Sequence, residues 1–213
     1  MNNNADALLF TRKVCVEAPQ TLGSHRRIRL REILLACLRA KRFDMKVRVI
    51  CMVRWFKLFG QQYFGFWALG LVCFAVQEIP YMLMPLFHLQ TNPIMNMVES
   101  SAALNACEKI LGSLCIALMI FVVHEDAVMF SISEPKERAF FEMAVRLLLV
   151  NFFGWALYFT GHQSVYIMIF FLVAMPPLYY MAIGLWRKNV PLAVTSIAFL
   201  VVHFMHVYGN LMG

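Results

Sequence analysis

The stretch FLVVHFMHVYGN, Phe199 to Asn210, sets two imidazoles into a run otherwise suited to lipid. His203 and His206 are three residues apart and Asn210 follows four later, so one stripe of a helix carries all three. Histidine changes charge near neutral pH and ligates metals, and beside a carboxylate it can exchange a proton. Other ionisable or polar residues inside apolar runs are Glu78, Glu108, Lys109, Glu142, Arg146 and Asn151. Such groups are costly in a bilayer and face the bundle interior, which makes each a site candidate.

The elements that must position them follow from composition. Sixty-one per cent of the 213 residues are hydrophobic and only 15% are charged, against about 25% charged in an average soluble domain. A membrane span needs about 20 apolar residues. Five windows qualify: 60–82, 101–123, 139–160, 164–186 and 190–211. Their continuous rather than alternating hydrophobicity argues against a β-barrel, and backbone groups in lipid must be satisfied within the segment. The expected fold is therefore all-α: a polytopic membrane bundle of five transmembrane helices over 58–213, preceded by a basic cytoplasmic segment over 1–57.

Charge gives the expected orientation. Residues 1–57 hold thirteen Lys/Arg against four Asp/Glu, and the remainder six against eight. With the amino terminus inside, segments 1–57, 124–138 and 187–189 carry seventeen Lys/Arg, and the outer segments none. That asymmetry predicts a cell (cytoplasmic or plasma) membrane protein with its amino terminus cytoplasmic and its carboxyl terminus outside. Trp55, Trp186, Tyr158 and Tyr166 fall where interfacial rings belong. The short FTGHQS connection predicts an antiparallel third and fourth span, and Pro176-Pro177 predicts a break in the fourth.

Depth then sorts the candidates. At 1.5 Å of rise per residue, Glu108, Asn151 and His203 each lie ~10 Å below the outer surface, with Glu78 at or somewhat below it. Glu78, Glu108, Lys109, Asn151, His203 and His206 would thus line one polar layer in the outer half of the membrane, with Lys109 neutralising a glutamate. Glu142 and Arg146 read instead as a local i, i+4 pair nearer the cytoplasmic side.

Three functional classes fit such a layer. The expected one is a small membrane module that binds or transports a small ligand or ion, with His203 as proton carrier. The second is a membrane-embedded metal-dependent hydrolase, with His203, His206 and Glu108 as candidate ligands. The third is a structural or regulatory membrane partner in which the histidines only tie helices together. The cofactor is left open and none is a fitting answer: Walker, dinucleotide, GxSxG and HExxH signatures are missing from the sequence, and haem would want histidines on facing helices. No internal repeat is evident, so a transporter of this kind would work as a homo-oligomer or within a larger membrane complex.

FEMAVR (Phe141 to Arg146), FLVVH (Phe199 to His203) and HVYGN (His206 to Asn210) are similar to the EExxxR, FxxxH and HxxxN motifs of the intramembrane CAAX-processing proteases. That resemblance implies a water-activating glutamate at position 141, where this chain has Phe, and histidines on separate helices, where this chain places both on one. The hydrolase stays the minor alternative.

The basic segment 26–43, RRIRLREILLACLRAKRF, places Leu30, Ile33, Leu34, Cys37 and Leu38 on one side of a helix. Anionic inner-leaflet headgroups are its expected partner, and nucleic acid is not expected, because no binding motif accompanies the charge. Met45 and Met52 are plausible alternative starts. Six cysteines without paired spacing predict reduced, structural thiols rather than disulfides or a zinc site.

Overall fold

The computed structural model describes residues 52–87, 89 and 91–212; the amphipathic stretch 26–43, Met45 and Cys15, Cys37 and Cys51 lie outside them. Two strands come first, β1 (Met52–Phe59) and β2 (Gln62–Trp67). Helix α1 follows at Ala68–Leu83 and ends in a 3₁₀ turn, Met84–Leu86. Then come α2 (Ala102–Phe121), β3 (Val122–His124), α3 (Pro135–Phe159), α4 (Val165–Trp186) and α5 (Val190–Met212). Counting the 3₁₀ extension of α1, five helices among the described residues are long and apolar enough to cross a membrane.

The strands correct the all-α expectation. β1, β2 and β3 form an antiparallel sheet in that order, and the first span starts at Ala68 rather than 60. Gly60, at φ +50°, turns the chain between β1 and β2. MVRWFKLF and QYFGFW are aromatic-rich and suit a pleated surface. Hydropathy cannot separate such a run from a helix end. The boundary expected at 57/58 falls inside β1.

Successive helices run up and down, so their ends gather in two groups. At the sheet end, Gln62 Nε2 donates to Lys188 O at 2.9 Å and Trp186 Nε1 donates to Ser131 O at 2.7 Å. At the opposite end, Tyr158 OH donates to Asn92 Oδ1 at 2.7 Å and Thr91 Oγ1 to Gln163 Oε1 at 2.6 Å. Among the described residues Arg54, Lys57, Lys136, Arg138, Arg187 and Lys188 belong to the sheet end and the loops of the opposite end carry no Lys or Arg, while Lys109 and Arg146 lie within helices.

Buried polar groups close the sheet end. The Arg187 guanidinium lies 4.7 Å from the Trp67 ring centroid and donates to Val128 O. Burial lowers its pKa to about 10, so it stays charged at neutral pH. Of the four rings expected at the interface, Trp186 and Tyr158 are buried with their polar tips bonded inside, and Trp55 and Tyr166 are exposed. Burial thus brings the rings of Trp186 and Tyr158 into the core without an unpaired donor.

The fourth span breaks where its prolines require. Met168–Val173 is π-helical, Ala174 N bonds back to Ile169 O at 3.0 Å, and α-helix resumes at Met175–Trp186 with the prolines in its first turn. In the wider register Phe171 O would look to residue 176, and a proline there offers no N–H. Asn151 Nδ2, from α3, donates to that carbonyl at 2.8 Å. Gly154, one turn further along α3, has no room for a side chain: a Cβ there would overlap the Phe171 Cβ. Small residues at such crossings let membrane helices pack closely.

Candidate functional site

The site lies where α2 and α5 face each other, near the end opposite the sheet. Helix α2 is capped by Ser101, whose Oγ accepts from Leu104 N at 3.4 Å, and Glu108 lies two turns in. Gly112, four residues on, leaves space for the Phe199 ring. That ring stacks on His203 at 5.1 Å and 20°, which fixes the imidazole's plane.

Glu108 is shared by both imidazoles. His206 Nδ1 is hydrogen-bonded to Glu108 Oε2. His203 Nδ1 lies 3.2 Å from Glu108 Oε1, yet it completes no hydrogen bond. His203 is thus in close contact with the carboxylate without a hydrogen bond to it.

The other edge of His206 faces two competitors. Nε2 is 2.8 Å from Glu99 Oε1 and 3.0 Å from Asn210 Nδ2. Asn210 Oδ1 in turn accepts from Ser100 N at 2.9 Å and Ser100 Oγ at 2.5 Å. Asn105 Nδ2 donates to Glu99 Oε2. A nitrogen that carries a proton can donate to Glu99 but cannot accept from the Asn210 amide; a bare nitrogen does the reverse. Protonation of one atom therefore decides which partner is bonded.

A proton count sharpens this. A neutral ring supplies one N–H, and two hydrogen bonds to two carboxylates need two protons. The Glu99-bonded arrangement of Glu99, His206 and Glu108 thus holds one proton more than a neutral imidazole with two carboxylates. Exposure grades along the chain of contacts: side chains of His206, Glu108 and Glu99 are 9%, 22% and 41% exposed. The chain neighbours of the outermost acid, Val98 and Ser100, line a groove of about 550 Å³ together with Pro93, Asn96, Gly209 and Asn210.

Of the six residues expected to line one layer, Glu108, His203 and His206 come together. Lys109 does not join them: it is exposed and in no ion pair among the described residues, because one residue's rotation turns it about 100° from Glu108. Asn151 is consumed by Phe171 O. Glu78 is half-buried on α1 and bonds to no described residue. Glu142 and Arg146 pair at 3.4 Å on the surface of α3, a contact worth ~0–1 kcal/mol.

Sequence reasoning missed Glu99, Ser100 and Asn105. Their only signal was polarity just before an apolar run, in VESSAALNA. Gln77 was missed too; it is buried and accepts from Tyr180 OH at 2.7 Å. Among the described residues no three His, Cys, Asp or Glu are arranged to hold a metal ion, and both His206 nitrogens already face partners. Cys73, Cys107 and Cys115 are free thiols.

Because Asn151 repairs a proline-broken register rather than serving the cluster, Asn151→Leu is expected to cost about 1–3 kcal/mol, the price of an orphaned buried carbonyl. Unfolding in detergent should register the loss, while ligand binding at Glu108 stays within twofold of the original.

No protein family, no curated protein and no solved structure matches the chain.

Proposed function

We propose that this chain is a small membrane module that binds a small cation in exchange for a proton, through the Glu99–His206–Glu108 cluster in the outer half of the bilayer. Its setting is the cell membrane, with the sheet end cytoplasmic and the carboxyl terminus outside. The Lys/Arg asymmetry supports that orientation. The basic segment 1–57 would meet anionic inner-leaflet headgroups, and movement of the cation across the membrane would call on a homo-oligomer or a larger membrane complex.

One observation carries the reading: Glu99 and the Asn210 amide both reach the same His206 nitrogen. With a proton on Nε2, the imidazolium neutralises Glu99. Without it, Asn210 takes the ring, and the Glu99 carboxylate is left charged beside the groove. Proton and cation then compete for one carboxylate. The cluster's two carboxylates, Glu99 and Glu108, favour a cation over an anion.

The test is titration of the full-length protein in neutral-lipid nanodiscs with sodium, calcium and methylammonium at a series of pH values. Exchange against a single proton requires apparent affinity to fall about tenfold per pH unit on acidification, below the pH at which the cluster titrates. Binding independent of pH, or no binding by any of the three ions, would rule the reading out.

A further inference from the structure

We infer that the β1–β2 hairpin is an interfacial device that binds anionic phospholipid headgroups, in addition to whatever the His–Glu cluster does.

Neither strand carries an Asp or Glu, while β1 presents Arg54 and Lys57 among Trp55, Phe56 and Phe59. Those three aromatics are 56%, 57% and 58% exposed, and both cations are exposed as well. Apolar rings over half exposed are costly in water. Alternated with cations, they match the membrane interface, where rings sit at headgroup level and Lys or Arg meets phosphate.

Position agrees with composition. β2 runs directly into α1 at Ala68, and β3 begins directly after Phe121 ends α2. Phe64 stacks on Phe56 at 5.1 Å and on Phe121 at 5.9 Å. A continuous aromatic ladder therefore joins the hairpin to the terminus of a spanning helix. The sheet lies at the height where hydrocarbon gives way to headgroups, and this holds for either orientation of the chain.

The competing occupant is another strand. Among the described residues β1 is one of the sheet's two edge strands, and open edges invite pairing. Yet its register is interrupted between Arg54 and Phe56 and again between Lys57 and Phe59. Bulges and edge cations are devices that prevent strand addition. A charged lipid surface needs no regular edge.

Tryptophan placement makes the test direct. Of the four tryptophans, Trp67, Trp155 and Trp186 are 1–3% exposed, so lipid-borne quenchers report on Trp55. The full-length protein is reconstituted in phosphatidylcholine vesicles with or without phosphatidylglycerol, and quenching is read with headgroup nitroxide, chain-end nitroxide and brominated chains of each lipid. Expected results are stronger quenching from the headgroup position, loss of that component in Trp55→Phe, and preferential quenching by brominated phosphatidylglycerol. Two cations near an anionic surface set that preference at up to about thirtyfold. Lys57→Gln should reduce it severalfold without unfolding, since Lys57 bonds to no described side chain.

Four outcomes would overturn the inference. Trp55 could be quenched by aqueous iodide and not by lipid. It could be shielded from both, as the basic segment before it would do. Its lipid quenching could vary with protein density, as a second copy would cause. Finally, the two lipids could quench it equally.

Discussion

Glu108→Gln is expected to weaken cation binding by at least about tenfold while leaving the protein folded. Glutamine has the shape of glutamate, and its amide can accept from one imidazole and donate to the other. What it removes is charge. At an effective dielectric constant of ~20, a unit charge several ångströms away contributes about 1–4 kcal/mol to holding a cation, and about 1.4 kcal/mol suffices for tenfold. Glu108→Leu removes the bonds as well, leaving His206 Nδ1 without its acceptor and adding a stability loss of about 1–3 kcal/mol. The comparison separates a site from a mere tie between helices. If the cluster only holds α2 to α5, the glutamine variant matches the original in affinity and in pH profile.

The second large effect belongs to Asn189. Its Nδ2 donates to Leu118 O and to Val122 O, both at 2.9 Å, and its Oδ1 accepts from Leu192 N at 3.1 Å. One buried side chain thus closes the end of α2 and starts α5. Asn189→Ala loses a helix cap, about 1 kcal/mol, and takes a donor from two carbonyls; Leu118 O keeps the Val122 N–H, so the loss falls on Val122 O at about 1–3 kcal/mol. The expected total, about 2–4 kcal/mol, corresponds to an apparent Tm lower by about 10 °C for a chain of this size. Asn189→Asp restores the cap and points a carboxylate at the same carbonyls, so it should be no more stable than alanine. Thermal unfolding in detergent reads both variants; a fall of under 2 °C for alanine would mean those bonds are not made.

Much of this was legible in the sequence. Span length and hydropathy are local, and they placed four of the five helices to within a few residues. The i, i+3 stripe of His203 and His206 and the depth of Glu108 were local too, and they meet in the structure at His206. What failed was non-local. Asn151 looked like a site residue because the reason for its polarity lies in another helix, at a carbonyl that Pro176 leaves unpaired. Lys109 shared the depth of the site but not its azimuth. Glu99 is 107 residues from the histidine it meets, and nothing local announces that meeting. The β1–β2 hairpin was hidden by its own aromatics, which score as apolar whether they enter a helix or a strand. Gly60 and the aromatic density around it were the available signs.

The most direct measurement is the protonation of His206 in the full-length protein in bilayers. Solid-state NMR of ¹⁵N-labelled histidine gives it, with the signal assigned by its loss in His206→Gln. In acid both ring nitrogens should carry protons, with Nε2 in contact with the Glu99 carboxylate. As the pH is raised through the titration of the cluster, Nε2 should lose its proton and accept from the Asn210 amide while Nδ1 keeps its bond to Glu108. A ring fixed in one neutral tautomer throughout, or one without carboxylate contact at any pH, would contradict proton-for-cation exchange at this site.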